Sequence, residues 1–199
     1  MNRRGHTRED IFRSARLLKE RGFELGLQMM TGLYGSNDED SIGTARDIIS
    51  LSPDTARIYP TVVIENTELA ELYRNGEYRP QTPEEAAVLP MFELAVIKVI
   101  RLGLHSGGDV EGSFVAGAYH PALREMCEGH IYFDIINRAL SGKEKGKYII
   151  YVAPREVSKA SGQRRCNIEK LRELGYECKI KESAALSARD ITLEKVNLL

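Results

Sequence analysis

The sequence predicts an α/β fold built from parallel strands and amphipathic helices, followed by a smaller and more basic α+β unit. Three observations carry this. Helix and strand patterns alternate over residues 1–65, strands alternating with helices of about a dozen residues imply parallel βαβ connections, and the charge balance changes sign near residue 141. Across 199 residues, 42% apolar and 29% charged, the composition is that of a chain able to bury a real core.

The elements follow in chain order. Ile11, Phe12, Ala15 and Leu18 recur at helical spacing, so a helix is expected over 9–20, with Thr7 as N-cap and Gly22 just past its end. The compact apolar run from Phe23 to Met30 reads as a strand that turns into a glycine loop, and residues 40–51 read as a second helix. Residues 55–64, β-branched and bounded by Pro53 and Asn66, read as a buried strand with its end marked by Pro60. Helices are expected over 68–75, 83–102 and 121–140. The glycine-rich stretch between Gly103 and Gly117 has no period and reads as loop. Residues 141–146 read as a linker, dividing the chain into parts 1–140 and 141–199, and strands over 148–152, 177–181 and 191–196 with a helix over 162–174 complete the second part.

Composition also sets aside whole classes. No apolar run approaches the ~18 residues of a membrane span, and the first ten residues have no apolar signal region, so no membrane association is expected. Cys127, Cys166 and Cys178 are too few and too scattered for a disulfide scaffold, which points to a reducing cytoplasm. Phosphate-loop, zincin and nucleophile-elbow motifs are absent. Cys127 and His130, three apart on a predicted helix, would need His120 and a further ligand to hold a metal; core packing accounts for them better, and no metal site is assigned. His105, in the glycine-rich stretch, is similarly ambiguous.

Residues 141–181 carry eleven Lys/Arg against five Asp/Glu, a balance of +6, so the rest of the chain carries −7. Such a segment suits a polyanion, and it equally suits a solvated charged helix. In an α/β sheet, ligands bind outside the carboxyl ends of the strands. That places interest on Gln28, Met29 and Met30 at the end of the first strand and on Arg57 to Pro60 in the second. The Gln28 amide could fix a ribose or a carboxylate and Tyr59 could lie against a purine, or both could simply pack in an interior. Arg4 and His6 precede the first helix, where an arginine could clamp a carboxylate.

Several short motifs in order carry a resemblance: Arg-Gly-His-Thr at 4–7, Gly-Leu-Gln-Met-Met-Thr-Gly-Leu at 26–33, Arg-Ile-Tyr-Pro at 57–60, Asn-Thr-Glu-Leu-Ala at 66–70, Gly-Glu-Tyr-Arg-Pro at 76–80 and Tyr-His-Pro at 119–121. Together they resemble the carboxyl-terminal half of a radical S-adenosylmethionine (radical SAM) protein, of the type similar to the elongator catalytic subunit, with oxygen-independent coproporphyrinogen oxidase more distant. The segment 161–168 is similar to the accessory domain that follows the barrel in that group. The resemblance implies the last part of a partial (β/α)6 TIM-type barrel, then a small α+β extension. It implies S-adenosylmethionine held on a [4Fe-4S] cluster and cleaved to a 5'-deoxyadenosyl radical. Arg4 would face the S-adenosylmethionine carboxylate, Gln28 would lie near the ribose, and Ile58, Tyr59 and Pro60 would lie beside the adenine. Coproporphyrinogen oxidases usually carry Asp at the Gln28 position, which favours the elongator-like branch.

The family's cluster motif, CxxxCxxC, does not occur in this sequence, so the cluster ligands are missing and no activity is expected from the chain alone. The expectation is a fragment, a truncated product or one half of a split protein, whose partner is an N-terminal half carrying CxxxCxxC. The other implied partner is tRNA, met by Gln163, Arg164 and Arg165 in the basic extension. The alternatives are a non-catalytic adaptor or remnant that binds a protein partner through its sheet edge, and part of a coproporphyrinogen oxidase-like oxidoreductase.

Overall fold

A computed structural model describes residues 5–83, 85, 88–104 and 108–196. The chain divides into two compact units, residues 1–123 and 124–199. The helix expected to close the first part therefore opens the second.

In the first unit, α1 (Arg8–Glu20) starts at a capping box in which Thr7 and Asp10 satisfy each other's backbone N–H groups, and α2 (Asp38–Ser50) starts at the same device built from Asn37 and Asp40. Between them β1 (Gly26–Thr31) pairs in parallel with β2 (Thr55–Pro60), Gln28 opposite Arg57 and Met30 opposite Tyr59. The chain does not continue as one strand to residue 64. It turns after Pro60, and β3 (Val62–Ile64) joins a different sheet. After α3 (Glu68–Arg74), the long helix expected over 83–102 is replaced by a six-residue helix, α4 (Leu89–Leu94), and a strand, β4 (Lys98–Leu102). The period of burial changes there from helical to alternating: Ile97 and Val99 are buried while Lys98 and Ile100 face outward.

The β4 strand adds in parallel to β2, giving a three-stranded sheet in the order β1-β2-β4 with an irregularity that leaves Ile100 as the extra residue and sets Arg57 opposite Arg101. The glycine-rich stretch expected to be loop contains a short helix, α5 (Gly108–Glu111), and a strand, β5 (Phe114–Gly117), which pairs antiparallel with β3. Tertiary pairing overrides its weak local signal. Helix α2 packs on β1 and α4 on β4. The sheet face carrying Met29, Ala56, Ile58 and Val99 is buried, while Ala15 of α1 packs with Leu25 and Leu51. The other face, carrying Gln28, Met30, Arg57 and Lys98, is exposed.

In the second unit, α6 (Leu123–Leu140) lays Tyr132, Ile136 and Leu140 against Tyr148, Ile150 and Val152 of β6 (Gly146–Val152). These side chains are at most 4% exposed, and full burial of each large apolar side chain is worth about 1.5–3 kcal/mol. Strand β6 is central. It pairs in parallel with β7 (Tyr176–Glu182) and antiparallel with β8 (Ile191–Lys195). The crossover between β6 and β7 holds α7 (Val157–Ser161), a 3-10 turn over Gln163–Arg165 and α8 (Cys166–Glu173). The helix expected from Gly162 thus begins four residues later, because Arg164 (φ 51°) and Arg165 (φ 64°) are left-handed. No described helix is long and apolar enough to cross a membrane.

Candidate functional site

Successive strand residues point to opposite faces, so β1 and β2 sort their own side chains. Gln28 and Met30 share the exposed face with Arg57 and Tyr59 of the neighbouring strand. Ile58 and Pro60 turn to the buried face, Ile58 completely, and any part they play with a ligand is confined to their backbone. The Ile58 carbonyl already accepts the Gly103 N–H at 2.9 Å. The structure therefore brings Gln28 and Tyr59 together across two adjacent strands, and it separates them from the Ile58 and Pro60 side chains. Met29, only 3% exposed, packs in the core, whereas Met30 is open to solvent. Among the described residues, the Gln28 amide has no hydrogen-bond partner. Arg4 and His105 lie outside the described residues.

A cleft of about 380 Å³ runs along β1, lined by Thr7, Arg8, Phe12, Gln28, Met30 and Leu33 among others. Its wall is held by Arg8, which donates from Nε and Nη2 to the two Asp47 oxygens at 2.5 and 2.6 Å and keeps that carboxyl below the usual carboxylate range. At the carboxyl end of β1 the chain turns at Gly32 (φ 66°), where Tyr78 Oη donates to the Gly32 carbonyl at 2.6 Å. Gln81 sits against this glycine so closely that a Cβ there would lie 2.9 Å from its Oε1. The Gln81 amide donates to Asp38 Oδ1 at 2.9 Å, which ties the strand end to the first turn of α2. Burial raises the Tyr78 hydroxyl above its ordinary pKa, so it serves as a donor across the physiological range.

In the second unit, Arg164 and Arg165 are exposed and Gln163 is half-buried. The turn that presents them rests on Gly162, buried against Asn167, whose amide donates to the carbonyls of Gly129 at 2.7 Å and Ala160 at 3.0 Å. Next to it, Glu128 is 6% exposed and sits between Arg124 at 3.1 Å and Lys159 at 3.3 Å, and Lys159 also reaches Glu156 at 2.7 Å. Burial opposes the charge on Lys159, but its two carboxylate neighbours outweigh burial and raise its pKa. Cys127 is buried, Cys166 exposed and Cys178 between these, and among the described residues no three His, Cys, Asp or Glu side chains come together to hold a metal ion.

Residues 53–132 match the Radical_SAM C-terminal domain. The tRNA uridine(34) acetyltransferase of Methanocaldococcus jannaschii is 40% identical over 87 residues, covering 42% of this chain and 16% of that protein. Human Elongator complex protein 3 is 30% identical over 134 residues, covering 62% of this chain and 23% of that protein. Over these residues the chain is similar to the elongator-like radical SAM proteins. It matches less than a quarter of the length of either of these relatives. The structure of Methanocaldococcus infernus Elp3 with an N-terminal deletion is 27% identical, with a TM-score of 0.49 over 66% of this chain and 36% of that one.

The residues that sequence reasoning left without a role are Arg57, Lys98 and Arg101. Arg57 lies inside a quoted motif, but its place on the open face needed the register of β2. Lys98 and Arg101 lay inside a segment read as helix, and only the strand pairing brings them to the sheet.

Proposed function

We propose that this chain supplies the carboxyl-terminal part of a radical SAM barrel, completing an S-adenosylmethionine pocket in an enzyme that modifies tRNA. The observation that carries this reading is the juxtaposition of Gln28 and Tyr59 on one open face of adjacent parallel strands, in a chain whose residues 53–132 match the Radical_SAM C-terminal domain. An exposed amide without a protein partner suits ribose hydroxyls, and the half-buried Tyr59 ring suits the flat face of a purine. The backbone of Ile58 and Pro60 would meet the purine edge, and Arg4 would take the carboxylate. In a complete enzyme of this type a [4Fe-4S] cluster would supply the electron that splits S-adenosylmethionine into methionine and a hydrogen-abstracting 5'-deoxyadenosyl radical.

The cluster itself does not fit this chain. Cys127 is in a helix interior, and Cys166 and Cys178 belong to separate elements of the second unit. Three convergent thiolates would have to come from a polypeptide carrying CxxxCxxC. The chain's own part is to bind and orient: Gln28 and Tyr59 fix the nucleoside, the Arg8–Asp47 pair stiffens the cleft, and Gln163, Arg164 and Arg165 meet tRNA phosphates.

Calorimetry with S-adenosylmethionine tests this, first with the chain alone and then mixed with a CxxxCxxC polypeptide after anaerobic cluster reconstitution. Binding in the mixture that weakens at least tenfold in Gln28→Ala is the expected result. Failure of S-adenosylmethionine to bind in either sample overturns the reading and leaves an adaptor that uses the open β1 edge.

A further inference from the structure

Outside residues 141–181 the chain is acidic, yet the charged strand residues on one sheet face of the first unit are all cations. The open face of the β1-β2-β4 sheet presents Gly26, Gln28 and Met30, then Thr55, Arg57 and Tyr59, then Lys98, Ile100 and Arg101. No carboxylate is among them. Arg57 and Arg101 are register partners on neighbouring strands, about 4.8 Å apart at their backbones, and Lys98 belongs to the preceding pair, opposite Thr55. Among the described residues, none of the three cations has an acidic partner.

Like charges set side by side on a sheet repel, and cross-strand pairs of one sign are destabilising. Two arginines held in this way, with a lysine nearby, form a donor array whose natural complement is an oxyanion with several acceptor atoms. Guanidinium groups match phosphate in a planar, two-pronged geometry that lysine alone does not provide. The face is open to solvent, which suits an extended chain of phosphates better than an enclosed small anion. Open sheet faces are a recurrent platform for single-stranded RNA, with bases stacked on an aromatic side chain such as Tyr59 here.

We propose that Arg57, Arg101 and Lys98 form a clamp for the phosphates of a single-stranded RNA segment, positioning the target nucleotide beside Gln28 and Tyr59. This inference rests on the tRNA reading above and adds to it a second RNA contact, in the first unit, independent of Gln163–Arg165.

The test measures binding of a fluorescein-labelled single-stranded oligouridylate to the full chain by anisotropy, over a range of salt. Each phosphate contact to a single strand contributes a salt slope of about 0.7, worth about 5-fold in affinity at 0.1 M salt. Arg57→Gln combined with Arg101→Gln should therefore weaken binding by about 25-fold and lower the slope by about 1.4. Arg57→Lys with Arg101→Lys keeps the charge and should keep the slope. Arg57 is exposed and Arg101 half-buried, and unchanged far-UV circular dichroism separates loss of contact from loss of fold. If the wild-type chain binds and the glutamine pair binds equally well, this inference fails while the RNA reading stands on Arg164→Gln with Arg165→Gln. Absence of RNA binding by the wild-type chain overturns both. Displacement of the RNA by a glutamate-rich peptide at equal concentration would mean that the surface meets acidic protein, and would overturn the RNA assignment.

Discussion

Replacing Gly162 by alanine would attack the second unit at the point where its crossover is tightest. Gly162 has φ 75° and ψ 159°, a conformation open in practice only to glycine, and forcing another residue into such a region costs about 1–3 kcal/mol. The added Cβ would lie 2.7 Å from Cys166 Sγ and 2.8 Å from Asn167 Cγ. Cys166 is exposed and can turn away. Asn167 is 1% exposed and can move only by giving up its bonds to the Gly129 and Ala160 carbonyls, at about 1 kcal/mol each. The sum is about 4 kcal/mol. Urea denaturation of the full chain, followed by far-UV circular dichroism, reads this as a lower midpoint for the transition of the second unit. Asn167→Ala alone should cost about 2–3 kcal/mol. The double variant should cost at least 1 kcal/mol less than the sum of the singles, because removing Asn167 makes room for the new methyl group. Strict additivity, or a Gly162→Ala cost below 1 kcal/mol, would refute the reasoning.

Three further outcomes follow from local chemistry. Thr7→Ala and Asn37→Ala each remove half of a capping box and should each cost about 1 kcal/mol in thermal unfolding, provided α1 and α2 melt with their unit. Burial pushes the Glu156 carboxyl up, but hydrogen bonds from Lys159 and Tyr132 outweigh burial and leave it below the usual carboxylate range. Its stabilisation is therefore complete above the unfolded value near 4.5 and disappears as pH falls through the lower folded value, so the stability gap between wild type and Glu156→Gln should close as pH falls below 4.5; a gap independent of pH would refute this. Burial also pushes the Cys178 thiol up to about 11, so at pH 8 a disulfide reagent should label exposed Cys166 well before Cys178, as peptide mapping would report.

What the sequence made legible was local. Capping residues, periodic helices and the β-branched run at 55–64 announce themselves through nearest neighbours; α1 and α2 lie close to where they were expected, and β2 covers only the first six residues of its run. The segment 88–102 misled because Val88, Leu89, Phe92 and Ala95 have helical spacing that runs without punctuation into the alternation of Ile97 and Val99. Phe114–Gly117 had only a weak local signal, since its strand state comes from pairing with Val62–Ile64. Gln28 and Tyr59 were visible as residue types, whereas their shared face depended on register. Arg164 and Arg165 were legible as charges but not as left-handed residues, because nothing in their chemistry asks for that conformation.

The two units guard their sheet edges differently. Strand β7, at one edge of the second sheet, alternates charge along Glu177, Lys179 and Lys181, and β8 at the other edge ends in Glu194 and Lys195. Edges of that kind discourage a further strand. On the first sheet, β4 carries Lys98 and Arg101, but β1 has neither charge nor proline from Gly26 to Thr31. Growth of the sheet thus has one permissive direction. A template open on a single side accepts one addition and then ends, so the hazard in this fold is pairing in twos rather than propagation into fibres.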